Sequence, residues 1–250
     1  MGPGPVGRVI LPIDGSLHDE DAVGGKAAGL SRLVALGLPV PPAVVVPVDA
    51  ASELGDLLAA VDALGEPLAV RSSAVGEDAA DRSAAGQYES VMGVRRDTLV
   101  EAVRRVRASA TANRAVAYSG DEAAMAVIIQ REVTSTRAGV AFSRDPVDGA
   151  DRIYVECVFG HGERLVSGSA APDRYWVETN RLVRARVARL EDRTRTSRTL
   201  RDDEVLSVAE LTRKAEAGVE RPVDVEFCFD PAGELSLLQC RPITARLPPA

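Results

Sequence analysis

Residues 223–241 read VDVEFCFDPAGELSLLQCR, and this stretch carries the clearest structural signal in the chain. Apolar and polar residues alternate over 223–229, as they do in a β-strand with one buried face. A second apolar run follows over 235–241. Between them, Asp230-Pro-Ala-Gly233 has Pro and Gly at positions that suit a type I turn. The stretch therefore predicts a β-hairpin.

The polar residues of this hairpin are expected to share a face. Asp224 and Glu226 point away from the apolar residues of the first strand, and Gln239 and Arg241 share one face of the second. If the tight turn pairs even positions with odd ones, Glu226, Gln239 and Arg241 meet on one surface. A carboxylate, an amide oxygen and a guanidinium together suit Mg²⁺ and a polyphosphate. The segment alone leaves open the alternative of an edge hairpin with a polar, solvated face.

Helices and strands alternate irregularly along the rest of the chain, with several hairpins, which predicts an α+β fold and not a doubly wound parallel sheet. Glycines frame the first helix, which we expect to open at Gly24-Gly25-Lys26 and to end at Gly37. Other predicted helices cover 52–63, 98–118 and 203–217. Predicted strands cover 8–13, 44–46, 68–73, 125–133, 139–143, 152–158, 165–167, 175–178 and 182–187.

The composition excludes several classes of protein. The chain has 250 residues, 46% of them hydrophobic and 27% charged, which is too apolar for disorder. A net charge of −7 argues against nucleic-acid binding, and no apolar run is long enough to span a membrane. No signal peptide is visible, so we expect a cytoplasmic protein. Three cysteines without Cys-x-x-Cys spacing exclude a zinc ribbon and a disulfide framework, and only two histidines are available for metal or triad chemistry.

Lys26 stands out because Lys26 and Lys214 are the only lysines among 30 basic residues. A compact ammonium after Gly24-Gly25 suits a phosphate at a helix N-terminus. The run is not a Walker A loop, since Ala27 replaces the Ser or Thr. Arg71-Ser-Ser73, with Gly86-Gln87 further on, is a second stretch suited to phosphates. Taken singly, Lys26 is also compatible with an ordinary surface lysine, and the second stretch with an ordinary surface loop.

Taken together and in order, the segments resemble the N-terminal nucleotide-binding domain of phosphoenolpyruvate synthase, pyruvate phosphate dikinase and rifampin phosphotransferase. The resemblance runs almost from end to end of the chain. Its blocks are VGGKAAGL (23–30) with 40–42, AVRSSA (69–74) with 77–78, AGQ (85–87), MAVIIQR (125–131), AGVAFSRDP (138–146), 162–163 with 167–168 and PDRY (172–175), DVEF (224–227) and LQCRP (238–242).

The resemblance implies an ATP-grasp fold, with two α+β lobes and the nucleotide between them. We expect residues 1–120 to form the lobe with Gly-Gly-Lys and the phosphate-covering loop, and 121–250 the lobe with the adenine hinge and the Mg²⁺-binding hairpin. The resemblance implies that Lys26 and Arg71 bind the ATP phosphates and that Gly86 and Ser90 lie in the loop that closes over them. It places Gln130 near the adenine hinge. It also implies that Glu226 and Gln239 bind Mg²⁺ and the phosphates, and that Arg241 compensates charge on the transferred group. Lys26, Arg71 and Arg241 are thus the candidate catalytic residues.

The resemblance also implies ATP and Mg²⁺ as cofactors and phosphoryl transfer as the reaction. The sequence ends nine residues after Arg241, without the phosphorylatable histidine domain that usually follows, so we expect no complete dikinase cycle within it. The acceptor is then a small molecule or a histidine on a separate partner protein, with neither nucleic acid nor membrane involved. The alternatives are a non-catalytic ATP-binding subunit and an ATP-grasp carboxylate ligase. Gln239-x-Arg241 speaks against the ligase, whose typical ending is Glu-x-Asn.

Overall fold

The computed structural model describes residues 10–50, 54–76, 89–114, 125–162, 165, 168–179, 181–186 and 197–243. The chain forms two compact units. Unit 1 comprises Met1–Ser31 and Pro41–Glu132, and unit 2 comprises Arg32–Val40 and Val133–Ala250. The predicted boundary at 120 assigns the strand after it to the second domain, whereas in the structure that strand pairs within the sheet of unit 1.

Unit 1 is built on a five-stranded antiparallel sheet with strand order β1-β2-β5-β3-β4. Its core gathers apolar side chains from the sheet and from helices α2 and α3, including Leu99, Val103 and Val106 of α3. The elements are β1 (Leu11–Pro12), α1 (Glu20–Ala35, of which the residues from Arg32 on belong to unit 2), β2 (Ala43–Val46), α2 (Leu54–Val61), β3 (Leu68–Ala74), β4 (Ser90–Val94), α3 (Leu99–Arg114) and β5 (Met125–Arg131).

Helix α1 begins six residues before the predicted start and is interrupted at Gly24. That residue has φ 75° and ψ 164°, so a short first turn and the main helix meet there at a kink. The helix ends as predicted at Gly37, whose φ is 69°. The N–H groups of Gly37 and Leu38 donate to the carbonyls of Val34 (2.9 Å) and Leu33 (3.0 Å). This is the Schellman arrangement that glycine favours at a helix C-terminus.

Unit 2 is built on a six-stranded antiparallel sheet with strand order β11-β10-β6-β7-β8-β9. One helix, α4, packs across one face of this sheet through the apolar stripe that contains Val205, Val208 and Ala209. The elements are β6 (Arg137–Phe142), β7 (Ile153–Phe159), β8 (Asp173–Glu178), β9 (Arg181–Arg186), α4 (Asp202–Val219), β10 (Val223–Phe229) and β11 (Leu235–Pro242).

Most predicted elements are confirmed, and the α+β class with them. Two differences stand out: the strand β4 was not predicted, and Leu165, predicted in a strand, lies in a helical turn with its N–H bonded to the carbonyl of Gly162 (2.9 Å). The three cysteines are buried and form no disulfide. Burial raises the pKa of the Cys157 and Cys228 thiols to about 12, so both are poor nucleophiles at neutral pH.

Among the described residues, no helix is both long and apolar enough to cross a membrane.

Candidate nucleotide-binding site

The start of the main part of α1 lies directly against strand β3. A Cβ atom on Gly24 would lie 2.5 Å from both the carbonyl carbon and the hydroxyl oxygen of Ser73. The N–H of Ala27 donates to the same hydroxyl at 3.1 Å, and Ser73 is fully buried. Position 24 therefore requires glycine for two reasons: its φ is positive, and its backbone lies too close to β3 for a side chain to fit. This contact fixes where Lys26, which is partly exposed, leaves the backbone.

Arg71 lies two residues before Ser73, so both side chains occupy the same face of β3. Arg71 is the one residue of β3 that is partly exposed and not buried. On the neighbouring strand, Ser90 is its direct cross-strand partner and is exposed. The structure thus brings the elements carrying Lys26, Arg71 and Ser90 together within unit 1. Gly86, predicted in the same phosphate-covering loop, lies outside the described residues.

Gln130 sits near the end of β5, two residues before unit 1 ends at Glu132. Its side chain is 2% exposed, and its Nε2 donates to the carbonyl of Pro41 at 3.3 Å. This bond ties the segment before β2 to β5. The predicted position of Gln130 near an adenine hinge stays a prediction.

The hairpin β10–β11 has the predicted polar face. Glu226 is the cross-strand partner of Gln239, and Asp224 is the partner of Arg241. The register shifts immediately after Glu226, where Phe227 pairs with Leu237, so that Leu238 is an extra residue on β11. Glu226, Gln239 and Arg241 therefore meet on one face, as expected. The expected cause was wrong, however: the turn pairs odd with odd positions (Phe229 with Leu235), and the extra residue Leu238 is what brings Gln239 opposite Glu226.

Asp224 belongs to this group, although the sequence analysis did not select it as a site residue. Arg241 donates from Nε to Oδ1 (3.2 Å) and from Nη2 to Oδ2 (3.3 Å) of Asp224. The two side chains are only 23% and 16% exposed. Burial raises the pKa of Asp224, against the opposing effect of the Arg241 charge. In the sequence, the alternation of Asp224 with Glu226 along the first strand of the hairpin was the feature that could have identified Asp224.

The donors on this hairpin suit Mg²⁺ when a nucleotide supplies the remaining ligands. Glu226, which is partly exposed, offers a carboxylate, and Gln239, which is 2% exposed, offers an amide oxygen. Within the described part of the chain, no group of three or more His, Cys, Asp or Glu side chains forms a metal cluster. Mg²⁺ does not need one, since it commonly binds one or two carboxylates, waters and substrate phosphates.

Each unit contains an antiparallel sheet with helices. Unit 1 carries the Gly-Gly-Lys helix start beside Arg71 on β3, and unit 2 carries the hairpin with Glu226 and Gln239. These features define a nucleotide-binding domain of the ATP-grasp class. The fold matches a dinucleotide-forming acetyl-coenzyme A synthetase of Ca. Korarchaeum cryptofilum, solved with coenzyme A and Ca-AMPCP, with a TM-score of 0.51 at 14% identity, over 88% of this chain and 92% of that one. The chain belongs to the family described as pyruvate phosphate dikinase, AMP/ATP-binding domain, whose pattern matches residues 53–248.

Curated relatives of the chain are considerably longer proteins. A probable phosphoenolpyruvate synthase of Methanothermobacter thermautotrophicus is 35% identical over 202 residues, which cover 71% of this chain and 29% of that protein. A rifampicin phosphotransferase of a Streptomyces species is 32% identical over 256 residues, covering 92% of this chain and 28% of that protein. The chain therefore spans less than a third of the length of either relative.

Proposed function

We propose that this chain is an ATP-dependent phosphotransferase, which moves a phosphoryl group from Mg-ATP to an acceptor. The observation that carries the proposal is the contact between Gly24 and Ser73. It holds the helix start with Lys26 on the face of β3 that also bears Arg71. Two cations from a helix start and a strand suit the phosphates of a nucleotide.

Phosphoryl transfer requires the protein mainly to position the reacting groups and to compensate negative charge. Lys26 and Arg71 neutralise phosphate oxygens, and Ser90 adds a hydroxyl donor beside Arg71. Glu226 and Gln239 hold Mg²⁺, which when bound neutralises charge on the phosphates. Arg241, fixed in orientation by Asp224, compensates the charge of the transferred group. Gln130 lies near the adenine.

The acceptor is a small molecule or a histidine on a separate protein. One relative is named for phosphorylating rifampicin, a small molecule, and another is named a probable phosphoenolpyruvate synthase. Both names are compatible with the same nucleotide site acting on different acceptors. We favour the small molecule.

The test is ³¹P NMR of the purified chain with Mg-ATP, alone and with candidate acceptors. ADP with a new phosphorus signal indicates a direct kinase, and AMP with phosphate indicates dikinase-type chemistry. Bound ATP that is never consumed would refute the phosphotransferase and leave an ATP-binding subunit.

Matched lysine variants test the site itself. Lys26→Ala should weaken binding of a fluorescent ATP analogue by roughly tenfold or more, the size expected for loss of a charge-assisted phosphate contact. Lys214→Ala is the control, because Lys214 lies on α4, is exposed and pairs with Glu210 (2.7 Å). If both variants bind the ATP analogue equally well, Lys26 does not belong to the nucleotide site.

A further inference from the structure

A short connection follows helix α1 and lies against the edge strand β11. It consists of residues 36–39, which belong to unit 2 although most of α1 belongs to unit 1. The N–H of Leu237 donates to the carbonyl of Pro39 at 2.7 Å. Because β11 is the end strand of its sheet, no further strand among the described residues could accept from this N–H group. The connection 36–39 therefore holds β11 at Leu237.

The connection itself is fixed by a side-chain contact and a tight turn. A Cβ atom on Gly218 would lie 2.7 Å from Cδ2 and 3.0 Å from Cγ of Leu36, so the side chain of Leu36 occupies the space that a glycine leaves on α4. Gly37 and Leu38 form the Schellman turn at the end of α1, and Leu38 is buried (7% exposed). The ring of Pro39 restricts its own φ. The Pro39 carbonyl is therefore held in one position.

The way in which Leu237 is held matters because the ladder is interrupted directly after it. Leu237 pairs with Phe227, whereas the next pair on the hairpin is Gln239 with Glu226. A bulge disrupts the ladder locally and bends the strand. The direction in which β11 continues to Gln239 therefore depends on a support outside the hairpin. Mg²⁺ makes this direction important, since it requires near-octahedral ligands at about 2.0–2.1 Å.

We propose that Leu36 is a positioning residue for the Mg²⁺ ligand Gln239. It acts through the connection 36–39, whose hydrogen bond from Pro39 supports β11 at the bulge and so directs the amide oxygen towards the metal. The effect passes through the backbone of β11 and not through a contact between Leu36 and the metal. The proposal rests on the proposed function, because that function takes Glu226 and Gln239 as Mg²⁺ ligands.

Hydrogen exchange measured by NMR tests the connection without metal or nucleotide. In the unmodified chain, the amide of Leu237 should be protected although it lies on an edge strand, because Pro39 accepts its hydrogen. Leu36→Ala should speed the exchange of this amide by roughly tenfold or more, since the connection loses its contact with α4. The side chain of Leu36 is 43% exposed, so the variant should still fold. Unchanged exchange in Leu36→Ala would overturn the proposal.

The second measurement is the factor by which Mg²⁺ strengthens binding of a fluorescent, non-hydrolysable ATP analogue. This factor compares the Kd values of one variant without and with Mg²⁺, so a reduced folded fraction cancels from it. Loss of a group that orients a metal ligand typically weakens metal binding by about 10- to 100-fold. Leu36 acts one step further away, and Leu36→Ala should lower the factor roughly 3- to 10-fold with an unchanged Mg²⁺-free Kd. Leu17→Ala, which removes another exposed leucine (71%), is the control and should change neither quantity.

Deletion of Leu238 tests whether Leu36 acts through the bulge. Without Leu238 the ladder is regular, because Leu237 and Gln239 then pair with the consecutive residues Phe227 and Glu226. Pairing with β10 alone would fix the direction of β11. In the chain without Leu238, Leu36→Ala should therefore leave the Mg²⁺ factor unchanged. An equal loss with and without Leu238 would contradict the proposal.

The unmodified chain separates this proposal from the function on which it rests. If Mg²⁺ does not strengthen binding of the ATP analogue to the unmodified chain, Glu226 and Gln239 are not Mg²⁺ ligands, and the positioning role of Leu36 is refuted with them. If Mg²⁺ strengthens binding to the unmodified chain and to Leu36→Ala by the same factor, the proposed function stands and only the positioning role is wrong.

Discussion

Replacing Gly24 by alanine tests the contact on which the candidate site depends. The φ and ψ of Gly24 (75° and 164°) lie in a region that is essentially restricted to glycine, and imposing it on alanine costs about 1–3 kcal/mol. The new methyl group would also lie 2.5 Å from two atoms of Ser73, and relieving such an overlap in a packed region costs about 1–3 kcal/mol more. We therefore expect Gly24→Ala to lower the free energy of unfolding by about 2–6 kcal/mol.

The assay is urea unfolding followed by far-ultraviolet circular dichroism, with binding of a fluorescent ATP analogue measured on the folded fraction. Gly37→Ala is the matched control on the same helix, because Gly37 also has a positive φ (69°) but no atom within 4 Å of the position that the new methyl group would take. Gly37→Ala should lower the free energy of unfolding only by the cost of a positive φ for alanine, about 1–2 kcal/mol. If Gly24→Ala is no more destabilising than Gly37→Ala, the close approach to β3 does not support the helix start.

Three further outcomes concern the polar network that joins β6 and β8 to the start of α4. Arg137→Ala should lower the free energy of unfolding by about 1–3 kcal/mol, because it removes the closer of the two arginines that contact the buried Glu204 carboxylate (2.6 Å, against 3.1 Å for Arg201); a loss below ~0.5 kcal/mol would contradict this. Burial raises the pKa of Glu204, but hydrogen bonds from Arg137 and the backbone outweigh it and hold the pKa below its ordinary 4.5. The stability from this group is therefore complete above that pH and should be lost as the pH falls through the lowered value, less steeply in Arg137→Ala, in urea titrations at several pH values. Tyr175→Phe should cost about 1–3 kcal/mol in the same assay, because the N–H of Leu200 (3.0 Å) and the hydroxyl of Thr199 (2.9 Å) lose their buried partner; unchanged stability would mean that other groups replace it.

Local sequence signals predicted the elements whose stability is local. The alternation over 223–229 and the Pro-Gly turn located the last hairpin, and Gly37 located the end of α1. The beginning of α1 was not predictable in this way, because its kink at Gly24 is held by Ser73, which is distant in sequence. Strand β4 also gave no signal, since most of its residues are exposed and show no apolar alternation.

The candidate site was predictable to the extent that sheet periodicity determines it. Alternation placed Gln239 and Arg241 on one face of β11, but they meet Glu226 only because of the extra residue Leu238, which no local pattern indicates. The alternation of β10 contained Asp224, but a paired role for its carboxylate becomes visible only from the geometry of Arg241. The contribution of Ser73 depends on a contact between a strand and a distant helix, which no local pattern encodes. The chemical roles of these residues stay predictions.

The extra residue Leu238 on β11 has a consequence for how related sequences can vary in length. Leu237 pairs with Phe227 and Gln239 with Glu226, so deleting Leu238 would leave a regular ladder in which Gln239 still faces Glu226 and Arg241 still faces Asp224. Deleting Cys240 instead would make Arg241 follow Gln239 directly and turn the Arg241 side chain to the opposite face of the sheet. Insertions at the turn 230–233 leave this parity unchanged when both strands keep their pairing. Length variation among functional relatives should therefore occur in the turn and at Leu238, and be absent between Gln239 and Arg241.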